Sequence, residues 1–287
     1  MKPTALKPVL PPPALVIFSV ISTQVGSAFA KTLFGQVGPL GIVFLRVALG
    51  ACILLAVWRP RWSAATQSRW PVIVGFGASL ALMNSLFYLA IARIPLGIAV
   101  ALEFTGPLGL AVVKSRRWID GLWTALAAVG VVLLAPIGDF TLDWMGVGLA
   151  LAAGLCWAGY ILMSARAGQA LPGIDGLAWA MAFGAGLLAP IGIAASGLDL
   201  LRPDILAIAA GVALMSSVLP YSFELMALRQ LPVNVFGVLL SLEPMAATLA
   251  GMVILGETLT VRSLLAVLLI STAAAGSACY QNREAHQ

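Results

Sequence analysis

Ten apolar stretches, each close to bilayer-crossing length, follow one another along this chain with only short polar breaks between them. They run roughly over 14–33, 39–57, 71–91, 96–113, 119–136, 145–164, 176–196, 204–224, 234–255 and 261–280. A helix that crosses a hydrocarbon core needs about 20 mostly apolar residues, so these stretches are spanning segments rather than soluble core helices. Turn and interface chemistry fills the breaks. Arg59-Pro60-Arg61 closes the second stretch and Lys114-Ser115-Arg116-Arg117 the fourth. Asp139 and Asp143 flank the gap after the fifth, Leu171-Pro172-Gly173 follows the sixth, and Arg202-Pro203-Asp204 opens the eighth. No break has room for a soluble domain. The chain reads as an all-α polytopic membrane protein of ten transmembrane helices, a single membrane domain over residues 1–287.

Composition excludes the other classes. Of 287 residues, 61% are hydrophobic and 9% charged, and the mean hydropathy is +1.03. A soluble domain cannot cover that much apolar surface with so little polar surface, and a disordered chain is polar and charge-rich. Three cysteines are too few for a disulfide scaffold. Cys52, Cys156 and Cys279 fall in different stretches with no CxxC or histidine neighbour, and read as small packing residues. There is no HExxH, no GxSxG in a strand-turn-helix context and no Walker loop, and the single histidine, His286, is in the tail. No enzyme, metal or cofactor is expected, and without a nucleotide-binding domain the drive must be an ion or substrate gradient.

Lys2 and Lys7 precede an apolar run ending Ala28-Phe29-Ala30, which has the look of a signal-peptidase site. An uncleaved first span is the better reading, because cleavage would leave nine spans and break the symmetry below. With the N-terminus inside, eleven of the sixteen Lys and Arg fall in cytoplasmic segments and three, Arg93, Arg202 and Arg262, in outer loops. Lys31 and Arg46 lie in or at the edge of spans. That bias puts both termini in the cytoplasm. It also accounts for the net charge of +5 as topology, so nucleic-acid binding is not needed to explain it. Trp58, Trp62, Trp70, Trp118, Trp123 and Trp144 fall near span ends, where aromatic belts meet the bilayer interface.

An internal repeat is visible. Ala90-Ile91-Ala92-Arg93-Ile94-Pro95 parallels Ala227-Leu228-Arg229-Gln230-Leu231-Pro232, and twelve residues after each proline stands another, Pro107 and Pro244. Glu103 precedes the first and Glu243 the second. One offset of 137 residues relates both proline pairs, mapping spans one to five (about 12–137) on spans six to ten (about 144–282). Five is odd, so the second half inserts upside down. Two inverted five-helix repeats are the plan of secondary transporters with alternating access. Pro107 and Pro244 each remove a backbone donor and are expected to kink their helices beside a cavity.

Charges inside spans are few. Glu103 and Glu243 lie near the middle of spans four and nine, Glu224 toward the cytoplasmic end of span eight, and Arg46 in span two. A charge at mid-bilayer costs about 2.5–3.5 kcal/mol on insertion scales, so it faces a cavity or a partner. Carboxylates flanking one cavity can take up a proton and give it up when a cationic group arrives, which is the chemistry of proton-coupled exchange. The alternative is a structural ion pair of Glu103 or Glu243 with Arg46 or Lys31. Lys31 reads as snorkelling to the outer interface, and Glu224 as a proton carrier, a gate or a solvated end. Gln24, Asn84, Tyr88 and Tyr221 are expected to contact substrate, because their polar groups need partners outside their own helix. Trp157 and Tyr160, one turn apart, form an aromatic wall or plain helix packing.

Two stretches carry a family resemblance. Asn84-Ser85-Leu86-Phe87-Tyr88-Leu89 runs into Ile94 through Leu108, and Leu219-Pro220-Tyr221-Ser222-Phe223-Glu224 is followed further on by Gly256-Glu257-Thr258-Leu259-Thr260. With the five-plus-five plan, they resemble the EamA-type branch of the drug/metabolite transporter superfamily, and within it the bacterial inner-membrane threonine/homoserine exporters. The resemblance implies efflux of small neutral amino acids by proton antiport, with Asn84, Tyr88, Glu103, Tyr221, Glu224 and Glu243 in spans that line a central cavity. A zwitterion needs an acceptor for its ammonium, supplied by Glu103 or Glu243, and a donor for its carboxylate, supplied by Arg46 or by Asn84 with Tyr88. The partners expected are an amino acid, protons and the lipid bilayer. Efflux of lipophilic cations or other metabolites by the same fold is the alternative.

Overall fold

The computed structural model describes residues 11–60, 64–114, 118–133, 143–170, 174–228, 230–231 and 233–280. Lys2, Lys7, Arg61, Arg116, Arg117, Asp139, Pro172, Arg229, Pro232, Arg283 and His286 lie outside them. Within the described residues all regular structure is helical. The elements are α1 (Pro12–Thr32), α2 (Phe34–Trp58), the short α3 (Ala64–Ser68), α4 (Trp70–Ile91), α5 (Leu96–Lys114), α6 (Trp118–Leu133) and α7 (Trp144–Ala170). After them come α8 (Asp175–Ser196), α9 (Pro203–Ala213), α10 (Leu219–Leu228), α11 (Val233–Leu240), α12 (Glu243–Leu255) and α13 (Val261–Tyr280). A 3₁₀ turn, Gly197–Leu201, follows α8, and a π turn, Leu214–Val218, joins α9 to α10.

Among the described residues, seven segments are long and apolar enough to cross a membrane: Pro12–Thr32, Phe34–Trp58, Trp70–Ile91, Trp144–Ala167, Asp175–Leu201, Pro203–Glu224 and Val235–Leu255. Three apolar helices are shorter, Leu96–Leu110, Gly121–Leu133 and Val261–Gly276. The outward faces are as apolar as the core: Val57, Leu155 and Val253 are 67%, 74% and 81% exposed. Such a surface belongs against hydrocarbon, since in water it would aggregate. The chain is a multi-pass membrane protein. Trp58, Trp70 and Trp144 are exposed at helix ends, as belt residues should be. Trp123 differs: its ring lies against Gly276 of α13, where no side chain stands in its way. Cys52 is exposed on α2 and is no core packing residue.

Without a hydrophobic drive between helices in lipid, close approach depends on small residues. The principal contacts are α4 with α7 and α8, α2 with α8, α5 with α7 and α12, α6 with α13, and α1 with α10 and α12. Glycines sit at several of these crossings. A methyl group on Gly77 would overlap the Ala180 carbonyl, and one on Gly97 would overlap Thr248. At the α5–α7 crossing, Gly106 meets the Gly154 backbone and Gly154 meets the Glu103 carbonyl.

Loop contacts gather one set of helix ends. Gly38 leaves the α2 helix at φ 65°, and the Val37 carbonyl there accepts a hydrogen bond from Ser196 Oγ at the end of α8. Arg93, between α4 and α5, donates to Asp143 at 2.8 Å, and Asp143 caps α7 by accepting from the Met145 N–H at 2.8 Å. The Arg93 hydrogen bond holds the Asp143 carboxyl below the usual carboxylate range. Because that value is depressed, its contribution is present at neutral pH and fades as pH falls through it.

The α5–α7 crossing gives a direct test. Gly106→Ala should lower stability by about 1–3 kcal/mol, because backbone must shift to admit the methyl. Gly148→Ala, in the same helix pair but in open space, should leave the melting temperature of detergent-purified protein unchanged.

Candidate functional site

Three prolines decide where backbone is free. Proline has no N–H, so the carbonyl four residues earlier loses its helical partner. For Pro220 that carbonyl is Ser216, and for Pro107 it is Glu103. Pro220 stands just after the π turn, and the Ser216 carbonyl accepts from Arg46 Nη2 at 2.6 Å. Arg46, 5% exposed, also donates through Nε to Ser217 Oγ at 3.1 Å and through Nη1 to Tyr88 Oη at 3.1 Å. Its guanidinium lies 5.4 Å from the Tyr88 ring centroid, and that ring is flanked by Phe34 and Phe87. Arg46 thus binds α2 to α4 and to the π turn.

Pro107 lies inside α5, which runs on as one helix through it. Pro244 is placed differently. It is the second residue of α12, after a two-residue break at Ser241–Leu242. Glu243 is therefore the first residue of α12, while it keeps the expected place near the middle of the ninth span, Val235–Leu255. An acidic side chain is favoured there by the helix dipole.

The predicted polar residues gather in part. Tyr88, Tyr221 and Glu103 lie within electrostatic range of Arg46, and Glu243 lies within range of Glu103 and Glu224. Tyr160 packs its ring on Phe76 at 5.1 Å and lies within electrostatic range of Tyr221 and Glu224. Glu224 is half-buried, and Ser19 Oγ of α1 donates to its Oε1 at 2.6 Å. Three carboxylates and one guanidinium thus share one region bounded by α2, α4, α5, α7, α10 and α12. Trp157 stands beside it with its ring edge-on to Phe104 at 5.1 Å. Asn84 is buried, but its Nδ2 donates to the Leu80 carbonyl of its own helix at 2.8 Å. Gln24 is 2% exposed and its Oε1 has no hydrogen-bond partner among the described residues. Most span hydroxyls, including Ser85, Ser222 and Thr248, bond their own helix backbone.

The ion-pair alternative fails on its predicted partners. The hydrogen bonds of Arg46 go to uncharged oxygens, and Lys31 pairs with Glu257 at 2.6 Å. Neither Glu103 nor Glu243 is paired with them. Lys31 therefore does not snorkel freely: it also donates to the Ile94 carbonyl at 3.2 Å, while the other Glu257 oxygen accepts the Leu96 N–H at 2.9 Å. Sequence reasoning gave Glu257 no partner, because Lys31 lies 226 residues away. The αL glycine before it, Gly256 at φ 66°, was the local sign of a tight corner that aims this carboxylate inward. No group of three His, Cys, Asp or Glu side chains among the described residues is arranged to hold a metal.

Comparisons with known proteins bear on this arrangement. Residues 144–278 match the EamA-like transporter family. The threonine/homoserine exporter RhtA of Salmonella typhimurium is 45% identical over 96% of this chain and 94% of its own length. The exporter of the same name from Escherichia coli K12 is 44% identical over the same shares. The chain belongs to the EamA-like transporter family. An uncharacterized transporter of Bacillus subtilis, YwfM, is 29% identical over 81% of each chain. One solved crystal structure shares the fold, with a TM-score of 0.62 over 96% of this chain and 99% of that chain at 21% identity. Family membership makes the chain a transporter and no enzyme.

The Arg46 arrangement predicts unequal costs. Arg46→Met strands a buried carbonyl and two hydroxyls and should destabilise by about 1–3 kcal/mol, whereas Tyr88→Phe loses one hydrogen bond, about 1 kcal/mol. Thermal unfolding of the two purified variants in one detergent checks the order.

Proposed function

We propose that the chain is a bacterial inner-membrane exporter of small neutral amino acids of the threonine and homoserine class, driven by proton antiport. The observation that carries the reading is that buried Glu103 lies within electrostatic range of Arg46, and Glu243 within range of both Glu103 and Glu224. A carboxylate without a fixed counter-ion can hold a proton or a substrate ammonium, but not both at full strength, and that competition is antiport. The relatives named for threonine and homoserine export, similar along nearly the whole chain, supply the cargo class. In this reading Glu103 and Glu243 exchange proton for ammonium and Glu224 relays toward the cytoplasmic side. Tyr88 and Tyr221 orient the substrate, Trp157 and Tyr160 wall the cavity, and Gln24 offers an unoccupied acceptor. Arg46 attracts the carboxylate while holding the π turn, and Asn84, bonded to its own helix, lends its carbonyl.

Alternating access follows from ten spans in two inverted repeats, and the packing supports that plan. Number the ten apolar segments in order, with α9 to α10 as the eighth and α11 to α12 as the ninth. Segments two, four and five pack on seven, nine and ten, their own repeat mates. Segment three packs on six as eight packs on one, and four on six as nine on one. A pattern that survives exchange of the halves is what a two-fold axis in the membrane plane produces. The loop ends gathered by Ser196, Arg93 and Lys31 belong to one side in that topology. The excess of Lys and Arg at the other side makes the gathered side the outer one, with both termini cytoplasmic. Pro107 and Pro244 mark the matched places where the fourth and ninth segments depart from plain helix bonding.

Glu103→Gln and Glu243→Gln should each reduce pH-gradient-driven threonine transport in proteoliposomes to the protein-free background. If both variants transport at the wild-type rate, proton coupling through these groups is wrong. Competing labelled threonine counterflow with neutral amino acids and with lipophilic dyes separates the cargo classes: threonine-class competitors should displace the label, and displacement by dyes alone would favour cation efflux.

A further inference from the structure

We infer that Lys31 and Glu257 form the closed outer gate of the transporter, a clasp that must open once in every transport cycle. The inference rests on the alternating-access reading above, and it assigns a role to residues that the cavity does not use.

Glu257 joins three corners with one side chain. Oε1 takes the Lys31 ammonium at the end of α1, and Oε2 takes the Leu96 N–H at the start of α5. Its own N–H returns to the Gly251 carbonyl of α12. Lys31 adds the Ile94 carbonyl, closing the α4–α5 corner onto the same point. Lys31 and Leu96 belong to the first half of the chain and Glu257 to the second, so separating the halves at this end breaks both bonds of the Glu257 side chain together. Gly97 and Thr248, and Leu96 and Gly251, lie directly behind the clasp and bring α5 and α12 together there.

The position suits a gate. On α5, seven residues separate Leu96 from Glu103, and on α1 seven separate Gln24 from Lys31; seven residues of helix rise about 10 Å. The clasp therefore caps the site roughly two turns above its carboxylate and its unpartnered amide. Its side chains keep 21% and 13% of their exposure, so water can replace each partner as the bond opens. A sealed ion pair would instead leave a bare charge on opening. The glycine corner at Gly256, in the αL conformation, lets the short link between α12 and α13 deliver and withdraw the carboxylate without bending either helix.

Cys156 on α7 reports the opening. Its thiol is half-buried and lies within electrostatic range of Glu103. In a background of Cys52→Ser and Cys279→Ser, a membrane-impermeant maleimide is applied to right-side-out vesicles and the labelling rate of Cys156 is read. Glu257→Gln keeps the acceptor for Leu96 but loses the charge, and Lys31→Gln loses the donor charge. Each should raise outer labelling by roughly tenfold, the size of a shift from a minor to a major population. The exchanged pair Lys31→Glu with Glu257→Lys should return it toward wild type. Unchanged outer labelling in both single variants overturns the clasp, even where threonine counterflow is normal. Faster labelling supports it, even where another cargo replaces threonine. Inside-out vesicles provide the folding control, since a collapsed variant would label equally from both faces and would also count against the clasp.

Discussion

The structure turns on backbone carbonyls that prolines leave without a helical partner in a medium that offers no water. In hydrocarbon such a group must be answered by protein or by a wet cavity. Pro220 frees the Ser216 carbonyl, and Arg46 answers it across from α2. Pro107 removes the partner of the Glu103 carbonyl, and Gly154 of α7 closes against that oxygen because it carries no side chain. The break in helix geometry at Gly38 releases the Val37 carbonyl, which Ser196 meets from α8. Each answer comes from a different helix, so the satisfaction of single carbonyls also fixes which helices touch. The buried guanidinium and the Ser196 hydroxyl are two local solutions to one constraint, and the glycine crossing packs directly on the third carbonyl, that of Glu103.

The scarce charges divide by the same logic. Most Lys and Arg stand at segment ends, where they orient the chain and meet water. Arg46 is spent on uncharged oxygens, so it is structural and electrostatic at once, and its positive field reaches Glu103 without pairing to it. That leaves Glu103, Glu224 and Glu243 with no ionic partner among the described residues. Ser19 restrains one of them, Glu224, from α1. In the proposed mechanism this imbalance is the working part: negative charge in excess within the site awaits a proton or an ammonium.

Hydropathy marked the helices closely, because crossing length is imposed by the bilayer and leaves its trace in every segment. The second stretch was read from residue 39, and helix geometry does resume there after Gly38. The gathering of Arg46, Glu103, Glu224 and Glu243 was legible because charge inside an apolar stretch needs a reason. The interruptions were less legible. Pro244 looks like Pro107 in the sequence, but one begins a helix and the other lies within one, a difference set by the turn at Ser241–Leu242. The π turn at Leu214–Val218 depends on Arg46, 168 or more residues earlier, taking a carbonyl out of the local ladder. Lys31 and Glu257 were read apart, one as an interface residue and one as a family mark, because only the packing of α1 against α12 brings them together. Asn84 was expected to need a partner from outside and found one a turn away instead.

The central claim is that this excess of carboxylate couples an amino acid to a proton in opposite directions. The most direct measurement encloses a pH-sensitive dye in proteoliposomes of the purified protein and adds threonine to one side with no initial pH gradient. The account predicts a threonine-dependent proton movement toward the side from which threonine leaves, lost in the Glu103→Gln variant. Labelled threonine that equilibrates across the membrane with no accompanying change in internal pH would contradict it.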